Sequence, residues 1–317
     1  MVKSMCGIVL ALVRPPVEFL FFGGLARIVK PRRCRLYYYR RHLNFGDRLN
    51  LALFRYFGVD VAYAAPSYAH VVAIGSLLQQ LLPRPGKRTV RTPIHVFGTG
   101  LLMPLDRTRL IRPIAVHAVR GRFSRMACEK VIGDGLQGIA VGDPGLMIRR
   151  IFPWALSEAK KYDVAIVRHL YEDESESASK ISLGDLKVRY VSVRDGVESF
   201  VRQIAQSRFV LSSALHGLVC ADSLGIPNRR IILSGKLEAD ELKFEDYYSA
   251  FSAGERHPPL DLRHGVITGE DARRLAAESQ DRVAEVERIC DGLTDSFLRM
   301  REQLRREGIA SGKCCST

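Results

Sequence analysis

The sequence contains no Cys-x-x-Cys pair, and its seven cysteines, at 6, 34, 128, 220, 290, 314 and 315, are odd in number. A disulfide framework is therefore not expected, and a reducing compartment, the cytoplasm, fits better. No apolar run reaches the roughly 20 residues that a spanning helix needs. The two longest, 5–13 and 17–29, are interrupted by Arg14, Pro15, Pro16 and Glu18. There is no P-loop, no G-x-S-x-G elbow and no G-x-G-x-x-G. His42, His70, His95 and His117 have no metal-ligand spacing with one another or with acids, so no metal site is expected. Acidic residues are also in short supply. Asp and Glu number 34 against 48 Lys and Arg, a formal charge of +14 that points to an anionic partner. Residues 1–41 carry nine of the basic residues and one acid, which is +8 of that excess. The remaining chain is only mildly basic, so nucleic acid is not an expected partner.

The order of charge and apolarity in 1–34 does not suit a signal peptide, because the cluster Arg32-Arg33-Cys34-Arg35 follows the apolar runs instead of preceding them. Two readings stay open. One is an interfacial segment making peripheral contact with an anionic membrane, at the inner face of the cell membrane. The other is a flexible extension or the product of an upstream start codon. Cys314 stands fourth from the end, but Cys315 and Ser316 are not both aliphatic, so a frayed tail is expected in preference to a prenylation box.

What the sequence does contain is a rhythm. A length of 317 residues suggests roughly two domains. Short apolar runs at 36–39, 71–74, 94–97, 114–119 and 139–141 predict strands, and 47–57 and 123–131 predict helices by their three- and four-residue spacing. After Trp154 the rhythm restarts, with strands predicted at 163–167, 188–193, 209–212 and 230–233 and helices at 197–206 and 216–224. Strands separated by helices imply parallel sheets. The expected fold class is α/β, two Rossmann-like halves with parallel sheets facing a cleft, plus C-terminal helices. The expected divisions are a basic and apolar extension over 1–34, a first half over 35–155, a second over 156–268, and helices and tail over 269–317. The acidic, Ser-rich stretch 172–180 is expected to be a solvated loop at the cleft.

Ligands in open parallel sheets bind beyond the carboxyl ends of the strands. Six sharp turns fall at such ends. They contain Asn44 and Asp47, Gly75 and Ser76, Gly98 and Thr99, Arg120 and Gly121, Gly142 to Gly145, and Ser212, Ser213, Leu215, His216 and Gly217. The last follows a buried strand and opens a helix, where free N–H groups and a partial positive charge favour an anion. A histidine there is held toward neutrality until a bound anion raises its proton affinity, so His216 is a candidate acid–base. Arg120, at a strand end, suits a phosphate or carboxylate. His169 ends the first strand of the second half and faces the same cleft, and Lys243 lies in an aromatic stretch with Asp246 and Tyr247. A satisfied capping histidine and a surface arginine are the plainer alternatives.

Taken in order, Asn44-Phe45-Gly46-Asp47-Arg48-Leu49-Asn50, Ala73-Ile74-Gly75-Ser76, Val96-Phe97-Gly98-Thr99-Gly100 and Val119-Arg120-Gly121-Arg122 resemble the polysaccharide pyruvyl transferase family, which includes bacterial exopolysaccharide ketal pyruvate transferases. Gly142-Asp143-Pro144-Gly145-Leu146, Ser212 to Gly217, Gly225-Ile226-Pro227 and Lys243-Phe244-Glu245-Asp246-Tyr247-Tyr248 continue the likeness. The resemblance covers about 36–253. It implies a shape similar to B-type glycosyltransferases and transfer of a pyruvyl unit from phosphoenolpyruvate onto two hydroxyls of a sugar, giving a ketal. It implies no cofactor, and as acceptor a glycan or lipid-linked oligosaccharide at the cytoplasmic face. His216 matches the family's catalytic histidine, and Arg120 a position suited to the donor's phosphate or carboxylate. Many members carry Arg directly before Leu-His, where this chain has Ala214; Arg168 and Lys243 are the candidate replacements. Two other functions remain open, a nucleotide-sugar-dependent glycosyltransferase of the same architecture and a non-catalytic glycan-binding relative.

Overall fold

A computed structural model describes residues 33–81, 92–105, 110–133, 135–172, 181–252, 258–279 and 282–309. The basic, apolar stretch before residue 33, residues 173–180 of the acidic loop, and Cys314 lie outside the described residues.

The first half is a six-stranded sheet built from β1 (Cys34–Tyr37), β2 (Val61–Tyr63), β3 (Val71–Val72), β4 (Ile94–Phe97), β5 (Ile114–Val119) and β6 (Ala140–Val141). Its order is β2-β1-β3-β4-β5-β6, and every pair is parallel. The second half has β7 (Tyr162–Val167), β9 (Val188–Val191), β10 (Ser207–Ser212), β11 (Asn228–Ile232) and β12 (Leu260–Asp261). These order as β12-β11-β10-β7-β9, again all parallel. A two-stranded parallel ladder joins β8 (Ile181–Ser182) to β13 (Ile267–Thr268). The fold is mixed α/β of the Rossmann-like kind that the alternation of strand and helix predicts.

Burial on both faces accounts for the unbroken apolar runs Val96-Phe97 of β4 and Phe209-Val210-Leu211 of β10. The expected strands at 71–74 and 188–193 shorten to β3 and β9. The short strands β2, β8, β12 and β13 went unread in the sequence, because a run of two or three half-buried residues carries no periodicity.

Helices run between the strands: α1 (Phe45–Tyr56), α2 (Arg122–Ile132), α3 (Ile148–Ile151), α4 (Val197–Ala205), α5 (Leu215–Leu224) and α6 (Glu241–Tyr248). Asn44 caps α1, its side chain accepting from the Gly46 N–H, so the helix starts two residues before the apolar spacing suggests. Helix α5 is buried along eight of its ten residues and stops at Gly225, whose φ of 67° is the left-handed cap that glycine adopts freely. In the tail, α7 (Gly269–Glu278) opens with a capping box between Thr268 and Asp271. The 24-residue α8 (Val283–Arg306) then returns to the first half.

That return is the keystone of the first half's packing. Phe297 of α8 is fully buried among Phe57 (stacked, centroids 3.9 Å apart), Phe97 (5.0 Å) and Phe54 (5.2 Å). The Ser296 hydroxyl donates to the His117 carbonyl at 2.6 Å. Buried His95 lies between His117 (2.9 Å) and Glu307 (3.0 Å). Burial, assisted by His95, pushes His117 down to about 4, so this ring is neutral at pH 7. Phe297→Ala is expected to lower the unfolding free energy by about 3–5 kcal/mol. The check is a fall in denaturant midpoint with unchanged slope.

Candidate active site

The two sheets present the carboxyl ends of their strands to one another, and the loops there interlock. Phe45, at the start of α1, stacks on Phe200 of α4 with centroids 3.8 Å apart, and the Phe45 N–H donates to the Val193 carbonyl. The Ser223 hydroxyl of α5 donates to the Leu146 carbonyl at 2.7 Å. The first contact fixes where α1 begins and the second holds the far end of α5, and the starts of the two helices meet at Gly46 and His216.

His216 lies at that meeting point. Its ring rests on Gly46, where a β-carbon would stand 2.1 Å from Nδ1, so no other residue at 46 leaves the imidazole in place. The other ring nitrogen, Nε2, is buried 3.7 Å from Asp143 Oδ2. That is too long for a hydrogen bond, yet neither atom has another partner among the described residues. The second Asp143 oxygen accepts from the Gly145 N–H at 2.8 Å, capping the turn Pro144–Met147. Burial lowers the proton affinity of His216. The Asp143 carboxylate opposes this, and the Arg120 and Lys243 charges reinforce it. Both cations thus stand within electrostatic range of the imidazole, one from each half.

Arg120 is the largest fully buried side chain among the described residues. Its Nε donates to Asp246 Oδ2 at 2.9 Å, Nη1 to Ser76 Oγ at 2.7 Å and Nη2 to the Leu101 carbonyl at 2.6 Å. Asp246 belongs to α6 of the second half and also accepts from the Ser124 N–H (2.8 Å) and hydroxyl (2.6 Å). Gly121 permits this docking, since a β-carbon there would sit 1.7 Å from the Asp246 carbonyl oxygen. The guanidinium expected to grip a ligand is thus already engaged by a carboxylate of the facing half.

Around Arg120, Thr99 donates its hydroxyl to the Gly75 carbonyl at 2.7 Å and accepts from the Leu77 N–H at 3.0 Å. Gly98, at φ 75°, lets Pro144 approach to 2.1 Å from a would-be β-carbon. Asp47 lies in the first turn of α1 beside Gly75, and burial pushes its carboxyl up to about 7.

On the second half, Lys243 Nζ bonds Asp240 Oδ2 at 2.5 Å and lies 3.3 Å from His169 Nε2. Burial, with Arg120 and Arg230, lowers the proton affinity of Lys243, and Asp240 counters it. Burial and the Lys243 charge push His169 down to about 4. The His169 N–H donates to Ser213 Oγ at 3.0 Å, and Ser213 in turn bonds Glu172. Ser212 closes on its own turn, bonding both the N–H and the carbonyl of Ala214 (3.1 and 2.7 Å), and packs so tightly on Gly217 that no β-carbon fits there. The Leu215 side chain is in the apolar core, which leaves only its main chain for a ligand. Arg168 lies over the Tyr190 ring at 5.4 Å.

The candidate residues therefore gather into three groups within electrostatic reach of one another: His216 with Gly46 and Asp143; Arg120 with Ser76, Thr99 and Asp246; and Lys243 with His169, Asp240 and Ser213. Asp143 and Asp240 carry no site role in the sequence reading, and Glu172, expected in the solvated loop 172–180, is instead buried against Ser213. Of these, Asp143 had a readable signal, an acid in a Gly-Asp-Pro-Gly turn at a strand end. No group of three or more metal-ligating side chains occurs among the described residues, nor a helix long and apolar enough to cross a membrane.

A family model described as polysaccharide pyruvyl transferase matches residues 16–233, and the chain belongs to that family. "Uncharacterized protein L143" of Acanthamoeba polyphaga mimivirus is 28% identical over 224 residues, 68% of this chain and 74% of that protein. "Succinoglycan biosynthesis protein ExoV" of Rhizobium meliloti (strain 1021) is 24% identical over 192 residues, 60% of this chain and 57% of that protein. Among solved structures, the functional uncharacterized protein KP1_0663 from Klebsiella pneumoniae aligns at TM-score 0.38 and 11% identity, over 78% of this chain and 99% of that chain. At that distance it adds nothing to the description of the fold.

Two measurements on stability follow from this geometry. Asp246→Ala strands the fully buried Arg120 charge and is expected to cost about 3–5 kcal/mol in denaturant unfolding. Asp47 acts in the opposite direction. Its carboxyl titrates near 3.8 when unfolded and at about 7 in the fold, so its contribution is complete below pH 4 and is lost as pH rises toward 7. Asp47→Asn is therefore expected to stabilise the protein at pH 8 by an amount on the order of 2 kcal/mol, with the gain gone by pH 4. Denaturant midpoints at the two pH values check this.

Proposed function

We propose that this pyruvyl transferase family member moves the pyruvyl group of phosphoenolpyruvate onto two hydroxyls of one sugar in a polysaccharide or lipid-linked oligosaccharide, forming a cyclic ketal and releasing phosphate. The observation that carries the reading is His216, an imidazole at a helix start, pinned between Gly46 and Asp143 and reached by the charges of Arg120 and Lys243.

The chemistry sets what the site must supply. The vinyl carbon C3 of the donor takes a proton, which leaves C2 cation-like. One sugar hydroxyl adds to C2 and gives up its proton. The second hydroxyl then replaces phosphate at the same carbon, again losing a proton. The reaction balances without any oxidant or reductant. It needs an acid for C3, a base for the hydroxyls, and positive charge facing a carboxylate and a phosphate.

His216 and Asp47 are the proposed proton carriers. The imidazole is held toward neutrality by burial and regains proton affinity when a polyanion binds next to it. Asp47, at about 7, carries a proton about half the time at neutral pH. The main-chain N–H groups at the start of α5, together with Lys243, form the proposed anion cradle. Arg120 adds its charge at short range, while its donors stay with Asp246, Ser76 and Leu101. Asn44, Gly75, Ser76, Gly98, Thr99, Ser212, Ser213 and Gly217 shape the turns that hold these groups in place. His169, neutral at pH 7, keeps Lys243 aimed into the cluster.

The test is to incubate the protein with phosphoenolpyruvate and a cell-surface glycan or its lipid-linked precursor, following phosphate release and the glycan mass. A mass gain of one pyruvyl ketal per repeat is expected. His216→Ala is expected to lower the rate by about 10²–10⁴-fold. Nucleoside diphosphate release from a sugar nucleotide, with none of phosphate from phosphoenolpyruvate, would reject the reading in favour of glycosyl transfer.

A further inference from the structure

We propose that Asp143 is a positioning residue that holds the neutral His216 ring in the Nε2–H tautomer and so leaves Nδ1 as the nitrogen that moves the proton. Two buried polar atoms, His216 Nε2 and Asp143 Oδ2, lie 3.7 Å apart with no other partner for either among the described residues. Buried polar atoms are almost always hydrogen-bonded, so a pair of orphans facing one another marks an interaction that is strained or waiting to close. A carboxylate only accepts, so it selects the ring form that carries the hydrogen on the nitrogen nearest to it.

The surroundings make the assignment one-sided. Asp143 is held from behind, its Oδ1 fixed by the Gly145 N–H, so Oδ2 cannot swing away without uncapping the turn. The imidazole is held from the other side by Gly46, against which Nδ1 lies. Nδ1 is thereby next to the start of α1, in the region proposed to receive the donor anion. When Nδ1 takes up a proton, the ring becomes a cation within electrostatic reach of two others, Arg120 after β5 and Lys243 of α6. Asp143, from the turn after β6, is the group that offsets this repulsion. Without it the ring would hold the proton less readily. The proton-transfer role rests on the pyruvyl-transfer reading; the tautomer and the charge coupling do not.

The decisive variant is Asp143→Asn, which keeps an oxygen for the Gly145 N–H while removing the charge. Asp143→Ser serves as a second variant, since serine is also a good cap and deletes the Oδ2 position altogether. Protein labelled with ¹⁵N at histidine is titrated by NMR, with His216 assigned by the signal lost in His216→Gln. In the unsubstituted protein the neutral His216 ring is expected to carry its hydrogen on Nε2. Each variant is expected to move the His216 titration midpoint to lower pH by about one unit or more; Asp143→Ser is expected to mix the tautomers, and Asp143→Asn, whose amide N–H₂ then faces Nε2, to shift the hydrogen to Nδ1. Thermal melting confirms that the fold survives. The limb of the pyruvyl-transfer pH profile that reports His216 is expected to shift in the same direction, with KM for the donor changing less than kcat. An unchanged midpoint and tautomer in both variants overturns the coupling. An altered midpoint in a protein that never transfers pyruvate leaves the coupling standing and overturns the function instead.

Discussion

A single buried ion pair governs the relation between the two halves of this protein. Arg120 leaves the end of β5 and Asp246 comes from α6, and both are fully removed from solvent. Desolvating two charges is expensive, and apolar side chains of similar volume often stabilise a fold as well or better. What the pair supplies is definition. Five hydrogen bonds converge on it, three from the guanidinium and two from Ser124, and each demands a direction as well as a distance. An apolar contact between β5 and α6 would tolerate sliding, whereas this one tolerates almost none.

The placement of everything reactive follows. Because α6 is locked at Asp246, Lys243 one turn earlier is brought to the cluster containing His169. Because α1 is held by Phe45 on Phe200, Gly46 comes under the His216 ring. The imidazole has no hydrogen bond of its own among the described residues; neighbours that are themselves over-determined position it. Local rules are broken at the same few residues. A carboxylate titrates near 7, a lysine is driven below its ordinary range, and two facing polar atoms lack partners. Such inconsistencies are costly in a core and are retained where chemistry needs them.

Much of this was legible in the sequence. Alternation of apolar runs and amphipathic stretches reported the strands that are long or fully buried, from β4 and β5 through β7 and β10, and the two tail helices. Gly-containing turns at strand ends marked where the loops of the two halves meet, and His216 stood out because a buried strand gives way there directly to a helix. Edge strands such as β2 and β12 were silent, since two or three half-buried residues imprint no period. Partners across long separations were silent too. Nothing local to Arg120 indicates that an acid 126 positions later will claim its guanidinium. Asp143 was readable only as a turn former, because its second oxygen gains meaning from a histidine on another strand-to-helix turn.

The division of labour between the two cations follows from their hydrogen bonds. Arg120 could turn to a ligand only by abandoning Asp246, which would release α6 and with it Lys243. Its charge therefore acts without a direct bond, as a fixed positive potential felt by the imidazole. Lys243 has three donors on a flexible stem, with Asp240 and His169 engaging it from the side. It can exchange one of these partners for an incoming anion while α6 stays where it is. Ala214, directly before Leu215 and His216, offers no charge and is packed in the core. Any cation offered from the second half by way of α6 depends on the buried pair at Asp246, which keeps that helix in register.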